Sequence, residues 1–219
     1  MLFKDRFDAG RFLASKLRRF ANRPDTIVLA LPRGGVPVGF EVAKALNVPL
    51  DVFVVRKLGV PGYEELAMGA IASGGIRVLN EDVVRAAGIP QKTIVAVAAE
   101  EERELQRRER DYRDGRPPVV VEGRTVILVD DGLATGSSMR VAVLALKKKG
   151  PAEIIVAVPV GAPATCAEFE SEVDQAICAI TPEPFLSVGQ WYEDFSQTSD
   201  EDVRDLLKRA GSLRVPNAA

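Results

Sequence analysis

The chain has 219 residues, enough for one large α/β domain with small additions, and its hydrophobic content of 47% is ample for a core. A formal net charge of −2 argues against non-specific nucleic-acid binding through a basic face. Histidine is absent, which excludes His-based general catalysis, Ser-His-Asp hydrolysis and His-ligated metals.

The N-terminus and the lack of a long apolar run predict a soluble cytoplasmic protein. The first six residues, Met-Leu-Phe-Lys-Asp-Arg, lack the apolar core of a signal peptide, and no apolar run approaches membrane-spanning length. We therefore expect no membrane partner. Cys166 and Cys178 have no metal-binding spacing, and in a reducing compartment they are predicted to be two buried thiols.

The first strand ends in a turn suited to an anion. Asp8 is expected to cap a first helix, and Thr26–Leu31 reads as a buried strand. The strand stops at Pro32-Arg33-Gly34-Gly35, and a helix follows from Val36. The two glycines allow positive φ and a close approach of the backbone to an anion, while Arg33 supplies charge. The alternative is a plain strand-to-helix turn.

A second pair of cations follows the next strand. Pro49–Val55 is predicted as a strand that delivers Arg56 and Lys57 at its carboxyl end, where ligands of open α/β sheets gather. A solvated strand end is the alternative. Residues 58–65 are rich in Gly and Pro and predict a loop, and a β-hairpin follows over Leu66–Ala72 and Ile76–Leu79.

The middle of the chain is helical and charged. Asn80 to Gly88 predicts a short capped helix, and residues 90–116 hold a long helix rich in Glu and Arg. We expect this helix to be solvated and to link two strands of the sheet; a dimer contact is the alternative.

The most informative stretch runs from Thr125 to Gly150. Val126–Val129 predicts a strand covered on both faces, and a helix with lysines in its last turn ends before Gly150. Between them stand Asp130 and Asp131, then Gly-Leu-Ala-Thr-Gly-Ser-Ser. Small residues at a helix start let backbone amides surround a phosphate, whereas carboxylates suit hydroxyl groups or hydrated Mg²⁺. An ordinary turn with an Asp cap is the alternative.

The last third of the chain completes an α/β pattern. Glu153–Val160 and Gln175–Ile180 predict two further strands with a helix between them. Four to five strands alternating with helices predict an α/β fold with a parallel twisted sheet flanked by helices, in a single domain over residues 1–219. A C-terminal segment over residues 184–211 holds Trp191 and Tyr192, and its final helix starts at Ser199.

The stretch Val126–Ser138 resembles, without a gap, the phosphoribosyl-pyrophosphate (PRPP) motif of type I phosphoribosyltransferases. The Pro-Arg-Gly-Gly-Val turn and the Val-Gly-Gln-Trp-Tyr tail resemble one group of that family whose acceptor we cannot assign. The resemblance implies a Rossmann-like sheet, a small hood over residues 58–79 that closes over PRPP, and dependence on Mg²⁺.

The resemblance also implies roles for particular residues. Asp130 and Asp131 would take the sugar hydroxyls and Mg²⁺, directly or through water. The 5-phosphate would be held by Ala134, Thr135, Gly136, Ser137 and Ser138. The pyrophosphate would face Arg33, Gly34, Gly35, Arg56 and Lys57, with Lys57 counted as catalytic.

The acceptor side is less defined. Some purine-specific members have an acid directly before Thr-Gly, and this chain has Ala134 there, which weakens a hypoxanthine or guanine assignment. Glu64 or Glu65 could act as the base, and Glu65 is our catalytic candidate. Trp191 or Tyr192 could stack on an acceptor ring, although aromatic residues near a C-terminus more often fasten it to the core.

Three functions remain open at this level. The first is a homodimeric, Mg²⁺-dependent transferase that moves the phosphoribosyl group from PRPP to a nitrogenous acceptor. The second is a non-catalytic PRPP sensor on the same fold. The third is a phosphoacceptor domain using Asp130 and Asp131, which would place the acids after the first strand rather than beyond the middle of the chain.

Overall fold

The computed structural model describes residues 2–212, and its centre is a five-stranded parallel sheet. In spatial order its strands are β2 (Leu50–Val52), β1 (Thr26–Ala30), β6 (Thr125–Val129), β7 (Glu153–Val160) and β8 (Gln175–Ile180). Every residue of β1 and β6 is buried, as their unbroken apolar sequences require. The predicted α/β fold with a parallel sheet flanked by helices is confirmed.

Helices cover both faces of this sheet. On one face α1 (Arg6–Lys16) and α2 (Gly35–Leu46) pack against Val28 and Ile127. On the other face α5 (Ser137–Lys147) and α6 (Pro163–Glu172) pack against Leu29 and Leu128. The predicted cap of α1 was wrong by three residues, because the Asp5 carboxylate accepts the bond from the Asp8 amide at 2.7 Å.

A second, antiparallel sheet follows β2; we call it the hood sheet. It contains β3 (Val55–Val60), β4 (Tyr63–Ala72) and β5 (Ile76–Leu79), in that order. The predicted hairpin is confirmed, but two other predictions were wrong. The expected strand Pro49–Val55 divides into β2 and the start of β3, which belong to different sheets. The expected loop 58–65 consists of the ends of β3 and β4, joined by a tight turn with Gly62 at φ 82°.

Two helices lie between the hood sheet and β6. The short helix α3 (Glu81–Ala86) is capped by Asn80, and the long helix α4 covers Gln91–Arg113, both as predicted. The expectation that α4 is merely solvated was wrong. Leu105 and Tyr112 in its second half are buried, because one face of α4 packs on the hood sheet and on α7 (Asp200–Ser212).

The C-terminal segment crosses back to the start of the chain. Residues 188–196, which we call the C-terminal strap, pair with the N-terminal segment: Phe3 donates its amide to the Trp191 carbonyl, and Glu193 donates to Phe3. The predicted start of α7 is confirmed, since Ser199 and Asp202 exchange hydrogen bonds as a capping box. The domain predicted over 1–219 includes residues 1 and 213–219, which lie outside the described part.

The cysteines differ from the prediction. Cys166 on α6 and Cys178 on β8 form a disulfide, with Cα atoms 6.4 Å apart, rather than two thiols. The packing of α6 beside β8 brings the two side chains together. Within residues 2–212, no helix combines the length and apolarity needed to cross a bilayer.

Candidate functional site

Two turns meet at the carboxyl edge of the main sheet. One follows β1 and contains Gly34 and Gly35; the other follows β6 and contains Asp130 and Asp131, and we call residues 130–132 the acid turn. A Cβ on Gly34 would lie 2.0 Å from the Asp131 Oδ2 atom, and one on Gly35 would lie 2.8 Å from the Val129 carbonyl oxygen. The glycines therefore allow the turns to touch, and the positive φ expected of them was wrong: the φ of Gly34 is −60°.

The two acids are partly buried and lie next to each other. Burial raises the pKa of the Asp130 carboxyl well above its usual value, and the charge of Asp131 raises it further. Burial also raises the pKa of Asp131, while a hydrogen bond from Arg6 opposes that rise. Two adjacent carboxylates with little solvent form a site that favours a bound cation or hydrogen-bond donors.

The acid turn is held by both ends of the chain. Arg6 Nε donates to Asp131 Oδ2 at 2.8 Å, and its Nη1 atom donates to the Ser196 carbonyl at 2.7 Å. The Tyr192 hydroxyl donates to the Asp131 carbonyl at 2.5 Å. Arg6 was absent from the residues chosen from the sequence. The sequence shows Arg6 only as one polar residue at the start of a helix. No local pattern indicates that it contacts a residue 125 positions away.

Beyond the acid turn, residues 134–138 form a loop with unpaired amides, which we call the phosphate loop. The N–H groups of Ala134, Thr135, Gly136 and Ser138 have no hydrogen-bond acceptor within residues 2–212. Four of the five residues are exposed, and α5 begins at Ser137, so the positive end of its dipole faces the same hollow. The arrangement presents donors to an anion.

Two side chains fix the direction of these amides. Thr165 Oγ1 on α6 donates to the Ala134 carbonyl at 2.6 Å, and Arg140 Nη1 on α5 donates to the Thr135 carbonyl at 3.0 Å. In a trans peptide the C=O and the following N–H point in opposite directions. The N–H groups of Thr135 and Gly136 therefore point away from these supports.

Gly136 lies too close to α6 to carry a side chain. Its φ is 72°, and a Cβ would lie 2.7 Å from the Phe169 ring. Arg140 is held in turn by ion pairs with Glu168 and with Glu172, the latter at 2.8 Å. The face of α6 therefore shapes the phosphate loop from outside.

The turn after β1 presents fewer groups to an anion than the sequence suggested. The Gly35 amide donates to the Leu31 carbonyl at 3.0 Å, so of the two glycines only Gly34 offers an amide without an acceptor in the described chain. The Arg33 guanidinium lies 3.8 Å from Asp200 at the start of α7. The contact of Arg33, Gly34 and Gly35 with pyrophosphate stays a prediction.

Arg56 and Lys57 lie on β3 of the hood sheet and not at the end of a main-sheet strand, so their predicted location was wrong. Adjacent residues of a strand face opposite sides. Arg56 pairs with Glu101 on α4, whereas Lys57 shares the α5-facing side with Val55. Of the two cations, Lys57 is therefore the one that lies on the α5-facing side of β3. Its Nζ atom lies 3.4 Å from Glu65 Oε2.

The geometry agrees with a family assignment. A model of the "Phosphoribosyl transferase domain" family matches residues 3–183, which include both turns and the phosphate loop. The chain belongs to this family.

Two relatives are similar to this chain over most of its length. A Mycobacterium tuberculosis protein that carries the provisional name phosphoribosyl transferase is 47% identical over 209 residues, which cover 95% of this chain and 47% of that protein. This chain therefore spans about half the length of the curated relatives it matches. The solved structure of TT1426 from Thermus thermophilus is 40% identical, with a TM-score of 0.82 over 95% of this chain and 99% of that one.

The two residues predicted to bind the acceptor lie in the C-terminal strap. Tyr192 is buried and packs between Phe3 and Phe195, with ring centroids 5.6 Å and 5.0 Å away. Trp191 is half-buried, and its Nε1 group lies 3.0 Å from the end of the Gln190 side-chain amide, which accepts its hydrogen bond when the amide oxygen is turned toward the indole. Both rings fasten the strap to the body of the protein, and the Tyr192 hydroxyl reaches the acid turn. Acceptor binding by either ring stays a prediction.

The acid turn also fits a magnesium ion. Mg²⁺ is commonly bound through one or two carboxylates, substrate phosphate oxygens and water. Asp130 and Asp131 supply two carboxylates, and only one oxygen of Asp131 is used by Arg6. Within residues 2–212 no group of three or more acidic or Cys side chains forms a cation site by itself. The residues therefore fit an ion that is completed by the substrate.

Proposed function

We propose that this chain transfers the 5-phosphoribosyl group from PRPP to a nitrogenous acceptor, a nucleobase, and releases pyrophosphate. One observation carries the proposal. Groups that accept hydrogen bonds from hydroxyls and groups that donate hydrogen bonds to a phosphate lie next to each other in one segment. The acid turn offers the carboxylates of Asp130 and Asp131, and the phosphate loop offers four unpaired amides. A ribose 5-phosphate carries hydroxyls and a phosphate in the complementary order.

The sugar would be held from two sides. The amides of residues 134–138 bind the 5-phosphate, and the hydroxyls of Thr135, Ser137 and Ser138 add donors around it. Asp130 and Asp131 accept hydrogen bonds from the 2- and 3-hydroxyls. Anchoring the phosphate and the hydroxyls fixes the anomeric carbon relative to the leaving group, which removes orientational freedom before bond breaking.

Charge separation is the main electrostatic demand of this reaction. As the bond from the anomeric carbon to pyrophosphate breaks, positive charge grows on the sugar and negative charge on the leaving group. The partly buried acid pair lies on the sugar side, and Lys57 with the Gly34 amide would face the leaving group. Mg²⁺ would neutralise pyrophosphate oxygens and be held by Asp130 and Asp131.

The acceptor side needs a proton acceptor and protection from water. The hood sheet carries Glu65, whose side chain is fully exposed and pairs with Lys57. When a ligand occupies the site, Glu65 would take a proton from the incoming ring nitrogen, and the hood would keep water from the sugar.

We place the protein as a homodimer in cytoplasmic nucleotide metabolism. The curated relatives are about twice as long as this chain, so their whole activity can include further steps.

A second candidate is a PRPP sensor without transfer. It is favoured by the ion pairs of Arg33 with Asp200 and of Arg56 with Glu101, which leave few cations for a departing pyrophosphate. The two functions share the sugar-phosphate site and differ only in turnover.

The test is to incubate the protein with PRPP, Mg²⁺ and a panel of nucleobases while following pyrophosphate release. Release that depends on one base supports the transferase. If calorimetry shows tight PRPP binding but no base causes pyrophosphate release, the protein is a PRPP sensor and the transferase proposal is wrong. Absence of PRPP binding would contradict both.

A further inference from the structure

Arg6 is built into the acid turn more firmly than a surface ion pair requires. Its side chain is only 11% exposed, and three groups hold its guanidinium from different directions. Nε donates to Asp131 Oδ2, Nη1 donates to the Ser196 carbonyl, and the guanidinium carbon lies 3.9 Å above the centre of the Phe195 ring. A planar group fixed in this way has one orientation.

The fixed guanidinium gives the Asp131 carboxylate one orientation as well. Arg6 uses a single N–H on Oδ2, whereas a carboxylate has about four acceptor positions on its two oxygens. The other oxygen and the remaining lone pair therefore stay available to a ligand. Displacing Arg6 from Asp131 would also break its contacts with Ser196 and Phe195, which makes displacement by a ligand unfavourable.

The alternative orientations of Asp131 are blocked by its neighbours. Gly34 lies against Oδ2, and a Cβ there would also approach Arg6 Nε to 3.2 Å. The Tyr192 hydroxyl holds the backbone carbonyl of the same residue. Backbone and side chain of Asp131 are thus fixed by two residues that lie at opposite ends of the chain.

We propose that Arg6 is the positioning residue for Asp131, and that it aims the free carboxylate oxygen at a hydroxyl of the bound ribose. This inference rests on the proposed function, because it needs a sugar at the acid turn. It assigns Arg6 no contact with the substrate. It also makes the C-terminal strap a structural support of the sugar site, since Ser196 and Phe195 hold Arg6.

The test compares ribose 5-phosphate with its 2-deoxy and 3-deoxy analogues by calorimetry. The wild-type chain should bind ribose 5-phosphate about tenfold more tightly than at least one analogue, as a hydrogen bond to a carboxylate commonly gives. Arg6→Met should reduce that preference to about twofold or less, because Asp131 loses its orientation. Arg6→Lys should keep part of it, since the charge remains without the planar fork.

A matched control lies on the same helix. Arg11 is exposed, and its only ion pair is with Asp8 within the described chain, so Arg11→Met should leave the hydroxyl preference unchanged. If Arg6 only stabilised the contact between the two chain ends, Arg6→Met would lower the melting temperature. The preference for ribose 5-phosphate over the deoxy analogues would then be unchanged at a temperature where the protein is folded.

The outcomes separate the two proposals. A wild-type chain that binds ribose 5-phosphate, and an Arg6→Met variant with the same hydroxyl preference, would overturn the role of Arg6 alone. A wild-type chain that binds none of the three compounds would overturn the proposed function, and the role of Arg6 with it. If Arg6→Met does not fold, the test uses Arg6→Lys. A hydroxyl preference in Arg6→Lys equal to that of the wild type would overturn the positioning role of Arg6.

Discussion

The sugar-phosphate side and the hood side of this site are built differently. On the main sheet, Asp131 is held by Arg6, and the amides of the phosphate loop are directed by Thr165 and Arg140. On the hood sheet, Lys57 is 46% exposed, and its partner Glu65 is fully exposed. Under the proposed function, the groups that would bind the sugar phosphate are therefore preorganised, whereas the groups that would face the leaving group are side chains that a ligand must order. We expect this difference to separate substitutions that abolish binding from those that weaken it.

The largest effect should come from the acid turn. Asp130→Asn together with Asp131→Asn removes both negative acceptors for the hydroxyls, and we expect PRPP binding or transfer to fall by at least about 100-fold. The fold should survive, because an amide has nearly the same shape and two partly buried neighbouring charges are costly. Calorimetry with PRPP and thermal denaturation measure the two properties. Full activity of the double variant would show that the acids are misassigned.

The hood comes next. Lys57→Met should weaken binding of Mg²⁺-pyrophosphate by about tenfold, because a charge-assisted hydrogen bond is lost, while ribose 5-phosphate binds as before. Arg56→Met is the matched control, since Arg56 is bound to Glu101 on the opposite side of the same strand. If both variants bind pyrophosphate equally, the two faces of β3 do not differ in the way the geometry indicates.

A smaller effect should come from the support behind the phosphate loop. Thr165→Val keeps the shape of the side chain but removes the hydroxyl that holds the Ala134 carbonyl, so ribose 5-phosphate should bind about fivefold more weakly. Pyrophosphate binding should not change.

Two variants control that measurement. Thr165→Ser should restore binding because it restores the hydroxyl. Ser171→Ala removes a hydroxyl from α6 that bonds only within the helix, and should have no effect. Unchanged affinity in Thr165→Val would mean that the loop keeps its shape without this bond.

The smallest effect concerns an exposed cluster behind the hood sheet. Hydrogen bonds from Arg107 and Arg108 lower the pKa of Glu104 from 4.5 to about 2. A lowered folded-state pKa contributes stability above the unfolded value, and this stability is lost as the pH falls from about 4.5 to about 2. Glu104→Gln should therefore lower the free energy of unfolding at pH 7 by less than about 1 kcal/mol, and the difference should shrink at about pH 3. Urea unfolding at the two pH values measures this, and an equal difference at both would contradict the assigned pKa.

The sequence predicted what is local and missed what is distant. The acid turn and the phosphate loop follow β6 directly, so strand, acids and helix start could be located from one continuous pattern. The division of residues 49–60 between two sheets could not, because Phe53 and Val54 are as apolar as a continuous strand would be. The functions of Gly34 and Arg6 depend on contacts with Asp131, roughly half the chain away. Likewise the disulfide depends on how α6 packs beside β8.

The central claim is that the amides after the acid pair bind the 5-phosphate of the sugar. The direct measurement is an amide-resolved NMR titration with ribose 5-phosphate, in which hydrogen bonding to an anion shifts the amide proton resonances. We predict large shifts for Thr135, Gly136 and Ser138 at saturation, and none for the amides of β3 until pyrophosphate is added. Saturable binding with these three resonances unmoved would contradict the account.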